Sequence, residues 1–264
     1  MPSIFKNKTI SFIIVSYKTK HYLEDCIKAI ISSTTGDYEI ILVENNSGEN
    51  LDSLQDLSTE RIHIVYSDKN AGFGAGVNIG ATKAIGDWLC IINPDTRIQG
   101  DIHTLSTIGE NTGIMGLALV DNNTRIQDYQ YGNFPTPRSI ITNTAKKSWQ
   151  TPTEQTISTD WVSGGSLCIE TALFRKLGGF DEQFFMYYED IDLCRRAKQI
   201  GRDVQWTQQI TVWHQEGGSE SNIRKTKERY YTAQRKYIVK WYGGFWNILL
   251  MPIHLRLLLL GVKK

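Results

Sequence analysis

The sequence reads as an α/β protein: a mostly parallel central sheet with helices on both faces, followed by a basic and apolar helical appendage. Three observations carry that reading. Short β-rich apolar runs recur along the first hundred residues, the stretches between them repeat apolar side chains at helical spacing, and cations crowd into the chain beyond Asn222.

Ile10 to Tyr17 is the first apolar run. Leu23, Cys26, Ile27, Ile30 and Ile31 follow at the i, i+3, i+4, i+7, i+8 spacing of an amphipathic helix. Tyr38 to Val43 predicts a second strand, Leu51 to Leu57 a short helix, Ile62 to Tyr66 a third strand and Trp88 to Ile92 a fourth. Ile114 to Val120 is a further apolar run. Asn133 to Thr159 is rich in Thr, Asn and Pro with few periodic apolar positions, and reads as a long loop or lid. Trp161 to Ile169 predicts one more strand, then a helix stopped by Gly178 and Gly179. Ile191, Cys194, Ala197 and Ile200 form one face of a helix that Gly201 ends, and a short strand signal leads into His214.

With 41% hydrophobic and 22% charged residues among 264, the chain can build a core, which excludes intrinsic disorder. A net charge of +1 gives no global case for binding nucleic acid. Ten basic residues and one acidic residue from Asn222 onward leave the first 221 residues at −8, so body and tail suit different environments. Four scattered cysteines (Cys26, Cys90, Cys168, Cys194) show no paired CxxC spacing and predict reduced thiols in a cytoplasmic setting. The apolar stretch after Lys6 and Lys8 is too short for a signal-peptide core, so no cleaved leader is expected. GxSxG, Walker A and HExxH patterns are missing, which disfavours the usual hydrolases, nucleoside triphosphatases and zinc proteases.

Parallel α/β sheets bind ligands beyond the carboxyl ends of their strands. Four polar loops stand there: Ser16 with Tyr17, Glu44-Asn45-Asn46-Ser47, Asp68 to Asn78, and Asn93-Pro94-Asp95. Gly72, Gly74, Gly76 and Gly80 do not fit GxGxxG. They either let a ligand approach the backbone, with Asn70 and Asn78 as amide contacts, or pack a helix tightly on the sheet. Asp95 offers a carboxylate to a hard cation and His214 a second ligand for Mn²⁺ or Mg²⁺, against the plainer reading of a packed histidine. Between Phe184 and Arg196 lie Glu189, Asp190 and Asp192. They serve equally as acids at a helix N-terminus or, for Glu189 and Asp190, as a general base in a partly dehydrated cleft.

Taken together, Phe12 to Tyr17, Val43 to Ser47, Asn70 to Gly74, Asn93-Pro94-Asp95, Gly178 to Glu182 and Tyr188 to Cys194 resemble the family 2 glycosyltransferases, in order from about residue 10 to about residue 218. The Asn93-Pro94-Asp95 form and the block from Phe184 to Arg196 look most like the rhamnosyltransferase branch, which builds bacterial surface polysaccharides. The resemblance implies a GT-A fold, a nucleotide-diphosphate sugar donor, with dTDP-rhamnose the best match, and inversion at the anomeric carbon. It also implies that Asp95 and His214 bind the metal, that Asn93 contacts ribose or metal-bound water, and that Asp190 is the base. Ser16, Tyr17, Glu44, Asn70 and Asn78 fall where the nucleoside is held, and Gly164 and Gly165 near the donor sugar. Many members carry Asp where this chain has Glu44, and Asn93 lacks the carboxylate of the family's first metal-motif position. A UDP-sugar donor, or a non-catalytic nucleotide-sugar-binding scaffold, are the alternatives.

The expected division is a catalytic unit over residues 1–221, with a nucleotide half (1–100) and an acceptor half (101–221), and a tail over 222–264. From Trp241 to Leu260 the chain is apolar and aromatic, but Pro252, His254 and Arg256 spoil a spanning helix. An interfacial segment fits better, with the cations from Arg224 to Lys240 facing anionic headgroups at the inner face of the cell membrane. There a polyprenyl-diphosphate-linked sugar or another glycan would be the acceptor. The competing expectation is a tail packed on the body or on a second copy in a homodimer.

Overall fold

The computed structural model describes residues 5, 7–58, 60–105, 111–142, 154–215, 223–246, 248, 250 and 251. Strand β1 (Ile10–Ser16), helix α1 (Lys20–Ser33), β2 (Tyr38–Glu44), a 3₁₀ turn (Asp52–Leu57), β3 (Ile62–Tyr66), α2 (Phe73–Lys83) and β4 (Trp88–Ile92) follow the predicted order. β1, β2 and β4 are buried along their whole lengths, as strands covered on both faces must be. α1 turns Leu23, Cys26, Ile27 and Ile30 inward.

The second half supplies β5 (Thr96–Gln99), β6 (Thr112–Val120), β7 (Tyr131–Gly132), α3 (Pro137–Ile141), β8 (Thr156–Ser158), β9 (Trp161–Val162), β10 (Ser166–Glu170), α4 (Thr171–Lys176), α5 (Glu189–Gln199), β11 (Asp203–His214) and α6 (Ile223–Tyr242). The main sheet runs β3-β2-β1-β4-β10-β6-β11-β5, with β8 also on β11. Pairing is parallel from β3 through β4 and between β6 and β11. It is antiparallel where β10 meets β4 and β6, and where β5 and β8 meet β11. The sheet expected to be mostly parallel is thus mixed, parallel without interruption from β3 through β4 and again between β6 and β11. The reversal has a consequence: β10 starts where β4 ends, with Ser166 opposite Ile92, so the turn before β10 lies at the sheet's ligand-binding edge.

Alternate residues of the strands feed two cores. Phe12, Ile14, Cys90 and Met115 join Leu23 and Ile27 of α1 on one face. Ile13, Val15, Ile91 and Ile169 join Val77, Phe180, Tyr188 and Tyr237 on the other. Each such aliphatic side chain contributes roughly 1.5–3 kcal/mol when fully buried, which fixes register throughout the centre of the sheet.

Several expectations change. The stretch read as a loop from Asn133 to Thr159 contains α3, whose N-terminus Thr136 and Ser139 close with a capping box, and β8; residues 143–153 lie outside the described ones. The single strand predicted from Trp161 to Ile169 breaks into β9 and β10 at Gly164 and Gly165. Ile200 lies beyond the end of α5 and is exposed, because the helix stops one residue short of it.

The tail departs furthest. α6 packs on α5, where the fully buried Asp192 accepts hydrogen bonds from Arg196 Nε at 2.8 Å and Trp241 Nε1 at 2.9 Å and pairs with Lys240 Nζ at 2.7 Å. A buried carboxylate is tolerable only with such partners. Lys240 also pairs with Asp181 at 2.7 Å, Lys236 donates to the Gln183 carbonyl at 2.6 Å, and the Arg195 guanidinium lies 4.4 Å from the Trp241 ring centre. Part of the basic face expected to meet lipid therefore meets the body of the protein. Among the described residues no helix is long and apolar enough to cross a membrane.

Candidate active site

The order β3-β2-β1-β4 makes a crevice at the carboxyl ends of β1 and β4, where the chain leaves to opposite sides. Ser16 ends β1, buried, with its hydroxyl 2.9 Å from that of Thr19; Tyr17 beyond it is exposed. Glu44 ends β2, buried, and its Oε1 accepts from the backbone N–H of Ser47 at 2.8 Å and from the Ser47 hydroxyl. It shapes this loop. Asn45 joins it to the glycine-rich segment: its Nδ2 donates to Asn70 Oδ1 at 3.2 Å and to the Gly72 carbonyl at 3.1 Å, and its Oδ1 is buried without a partner.

The glycines of that segment serve packing. Gly72 has φ +102°, and a Cβ there would lie 2.1 Å from the carbonyl oxygen of Phe185, which accepts from Phe73 N. Gly76 and Gly80 let α2 settle onto Val15 and Ile13 of the sheet. Asn78 is equally structural. Its Nδ2 donates to the Phe180 carbonyl at 2.9 Å and Glu182 at 3.1 Å, and its Oδ1 accepts from Phe180 N at 2.8 Å. The amide expected to hold a nucleoside is committed to the loop before α5.

Asp95 and His214, far apart in sequence, come together. β5 begins directly after Asp95 and pairs antiparallel with the end of β11, His214 opposite Thr96, which leaves Asp95 Oδ1 3.5 Å from His214 Nε2. Burial pushes the Asp95 carboxyl above its ordinary range, and His214 opposes that shift. A buried carboxylate facing an imidazole nitrogen fits Mn²⁺ or Mg²⁺, and two ligands of one small ion at about 2.1 Å stand roughly 3 Å apart. Among the described residues no cluster of three or more His, Cys, Asp or Glu side chains forms a metal site. Such an ion would therefore draw its other ligands from water and substrate phosphates.

The third part is built around Asp190, the residue expected to be the base. Asn93 N donates to the Gly165 carbonyl at 3.1 Å, and Gly164 N donates to Asp190 Oδ2 at 2.9 Å, so the β10 turn joins the Asn93-Pro94-Asp95 loop to the first turn of α5. Asp190 Oδ1 also accepts from Ile191 N at 2.8 Å. Burial raises the Asp190 carboxyl above the usual aspartate range, with those N–H groups working against it. Glu189 is buried, its Oε2 has no partner, and burial reinforced by Asp190 pushes it well above the ordinary range. Of the two residues Asp190 is the less deeply buried. Glu189 lies against α2, its Cβ 3.6 Å from where a Gly74 side chain would begin.

Tyr187 and Tyr188, just before Glu189 and Asp190, both take left-handed backbone conformations, φ +71° and +69°. Each costs on the order of 1–3 kcal/mol. Tyr188 is buried, and its hydroxyl accepts from Gln234 Nε2 of α6 at 2.6 Å and lies 3.3 Å from the Tyr230 hydroxyl.

Residues 11–109, from β1 through β5, match the family model described as Glycosyl transferase family 2. Over these residues the chain is similar to the glycosyl transferase family 2 domain. The match holds Ser16 through Asp95, whereas Gly164, Asp190 and His214 lie beyond it. The low-salt glycan biosynthesis hexosyltransferase of Haloferax volcanii is 25% identical over 238 residues, covering 87% of this chain and 74% of that protein. The N-acetylglucosaminyl-diphospho-decaprenol L-rhamnosyltransferase of Mycobacterium tuberculosis is 23% identical over 218 residues, covering 72% and 70%. The crystal structure of GalNAc-T7 with UDP, GalNAc and Mn²⁺ superposes with a TM-score of 0.63 at 20% identity over 86% of this chain; this chain spans about half, 47%, of that one. At that identity the likeness speaks for the fold, the GT-A type expected for a family 2 domain.

Three residues of this architecture escaped the sequence reading. Asn45 lies beside Glu44 in the polar loop after β2, and nothing in the sequence sets it apart from its neighbours. Gln127, beside His214, and Gln234, beneath Tyr188, are lone amides in polar surroundings, and only their partners reveal them.

Proposed function

We propose that the protein is an inverting, metal-dependent glycosyltransferase that moves a sugar from a nucleotide-diphosphate donor to a hydroxyl of a glycan acceptor in cell-surface polysaccharide synthesis. The observation that carries this reading is one line of contacts across the sheet edge: Asp95 Oδ1 3.5 Å from His214 Nε2, then the hydrogen bonds from Asn93 N to the Gly165 carbonyl and from Gly164 N to Asp190 Oδ2. A base and an electrophilic site stand at its two ends, as an inverting displacement requires.

In this reading the crevice formed by Ser16, Tyr17, Glu44, Asn45 and Asn70 holds the nucleoside, and Asp95 and His214 hold the cation. The cation, when bound, supplies positive charge against the departing diphosphate. Asp190 Oδ1 or Oδ2 takes the proton of the acceptor hydroxyl, aided by the basicity that burial gives its carboxylate. Gly164 and Ile191 hold that carboxylate in place, and Glu189, kept uncharged, leaves the negative charge of the pair on Asp190.

The named relative from Mycobacterium tuberculosis supports L-rhamnose as the transferred sugar and a polyprenyl-diphosphate-linked sugar as acceptor, and dTDP-rhamnose is the donor that the resemblance implies. The UDP-bound structural neighbour keeps a UDP-sugar as the second reading. Peripheral attachment to the inner face of the cell membrane would bring enzyme and lipid-linked acceptor together. It is supported by the exposed Phe245, Ile248 and Met251 that follow basic α6.

Ligand-observed binding of Asp190→Asn protein to dTDP-, UDP- and GDP-sugars, with and without Mn²⁺, tests the reading. Metal-dependent preference for dTDP-rhamnose is expected. Preference for a UDP-sugar would replace the donor, and absence of binding to every member of the panel would overturn the transferase reading.

A further inference from the structure

Gln127 touches His214 twice. Its Nε2 donates to the His214 carbonyl oxygen at 2.9 Å, and its Oε1 lies 2.8 Å from His214 Nδ1. The first contact orients the amide, because a backbone carbonyl only accepts and so must face the NH₂ end. The second contact then has one solution: Oε1 also only accepts, so Nδ1 must carry a proton. In the neutral imidazole this leaves Nε2 with its lone pair, and Nε2 is the nitrogen that faces Asp95 Oδ1 at 3.5 Å.

Without such a device the opposite tautomer would be favoured. The Asp95 carboxylate attracts a proton to Nε2, where it would block that nitrogen as a ligand. The acceptor at Nδ1 competes with Asp95 for the single proton of the ring.

The segment that carries Gln127 is built to hold it still. Gln127 N donates to the Leu119 carbonyl at 3.0 Å. The buried amide of Gln130 donates to the Leu119 and Gln127 carbonyls at 2.7 and 2.6 Å and accepts from Leu119 N at 2.6 Å. Asp121 Oδ1 accepts from Asn123 N at 2.8 Å and Arg125 N at 2.9 Å, closing the turn, and Asn122 Oδ1 accepts from Trp213 Nε1 at 2.7 Å beside His214.

We propose that Gln127 is a positioning residue that fixes His214 in the Nδ1–H tautomer, with Nε2 presented to a divalent cation shared with Asp95. The inference rests on the metal-dependent reading above, but its first test needs no metal. Full-length protein labelled with ¹⁵N in its histidine rings, free of metal, is examined by long-range ¹H–¹⁵N correlation, with His214 assigned by the signals lost in His214→Asn. The expected pattern is a protonated Nδ1 and a bare Nε2. A proton on Nε2 in the wild type overturns the clamp without recourse to any variant.

In Gln127→Met, which keeps the length of the side chain and removes both hydrogen bonds, the proton should shift toward Nε2. The Mn²⁺ concentration that broadens the His214 signals should rise about 10–100-fold, the usual effect of losing an outer partner of a metal-bound histidine. An unchanged tautomer and midpoint in Gln127→Met would overturn the proposal. The expected wild-type tautomer with no response to Mn²⁺ would leave the clamp standing and refute the metal role assigned to His214.

Discussion

Asp190 Oδ2 accepts from the backbone N–H of Gly164 at 2.9 Å, and a Cβ at Gly164 would stand only 3.6 Å from that of Asp190 and 3.2 Å from the Phe73 ring. The contact ties the first turn of α5 to the turn before β10, which reaches the sheet edge because β10 runs antiparallel to β4. Asp190, the proposed base, is held by two fixed backbone donors, one at each carboxylate oxygen, and Asn in its place keeps an acceptor for one of them.

Asp190→Asn should therefore fold and bind donor as the wild type does while losing transfer by about 10²–10⁴, the range for a general base. Calorimetric donor binding set beside single-turnover transfer separates the two effects. Retained turnover would assign the base elsewhere.

Glu189 predicts a pH dependence of stability. Its carboxyl is raised well above the ordinary range in the fold, so between the unfolded value, about 4.3, and the folded one the native state binds more protons than the unfolded state. Its contribution is fully present below that window and is lost as pH rises through it, with a slope of at most about 1.4 kcal/mol per pH unit for one proton. Glu189→Gln should flatten that slope in urea titrations repeated from pH 4 upward, and should be more stable than wild type at the upper end. An identical pH profile would mean that Glu189 ionises freely in the fold.

Asp95→Asn keeps the shape of the side chain and removes its charge. Donor binding should lose its dependence on Mn²⁺, and chelation by EDTA should weaken donor binding in the wild type but not in the variant. Titration of Mn²⁺ into each protein with donor present is the measurement. An undiminished metal response would move the cation away from Asp95.

The strands of the nucleotide half were legible because each is a short apolar run bounded by polar loops; β4 is found at the predicted Trp88–Ile92. Asp95 and His214 were each legible as ligand candidates from their places just after strand signals, and family resemblance joined them, but their contact was not, since it forms when β5 pairs with β11, a tertiary event with no local trace. Asn78 reads as a ligand contact because a glycine-rich helix preceded by a polar loop resembles a ligand cradle, and only the structure shows the partners of its amide, Phe180 and Glu182, 102 and 104 residues downstream. Lys240 misled in the same way: next to other cations it reads as surface charge, and its counter-ions Asp181 and Asp192 belong to distant segments. Charge patterns along the chain give composition but not the partner across an interface.

Gln234 tests how far the tail belongs to the active site. Its amide is the shortest polar contact to the Tyr188 hydroxyl, beneath two left-handed tyrosines that lead into Glu189 and Asp190. Gln234→Leu leaves that buried hydroxyl with the longer Tyr230 contact alone and should cost about 1–3 kcal/mol, seen as a lower Tm. If α6 supports the base, turnover should fall while donor affinity, set by loops of the other half, stays constant. Equal loss of both would point to general unfolding.

The exposed Phe245, Ile248 and Met251, 69%, 72% and 55% accessible, carry the membrane prediction, because they lie beyond the part of α6 that Asp192, Gln183 and Tyr188 hold to the body. Removing the whole tail would also remove Gln234 and Lys240 and confuse attachment with catalysis, so a triple change to serine at these three positions is the cleaner variant. Flotation with vesicles containing anionic lipid should drop sharply, since insertion of the apolar side chains is lost, while the cations of α6 contribute only about 1 kcal/mol each near such a surface. Donor binding and Tm should stay near wild type. Undiminished flotation would mean that attachment, if any, runs through another surface, and lost solubility of the wild type without lipid, cured by the serines, would point to a second copy of the chain on this face.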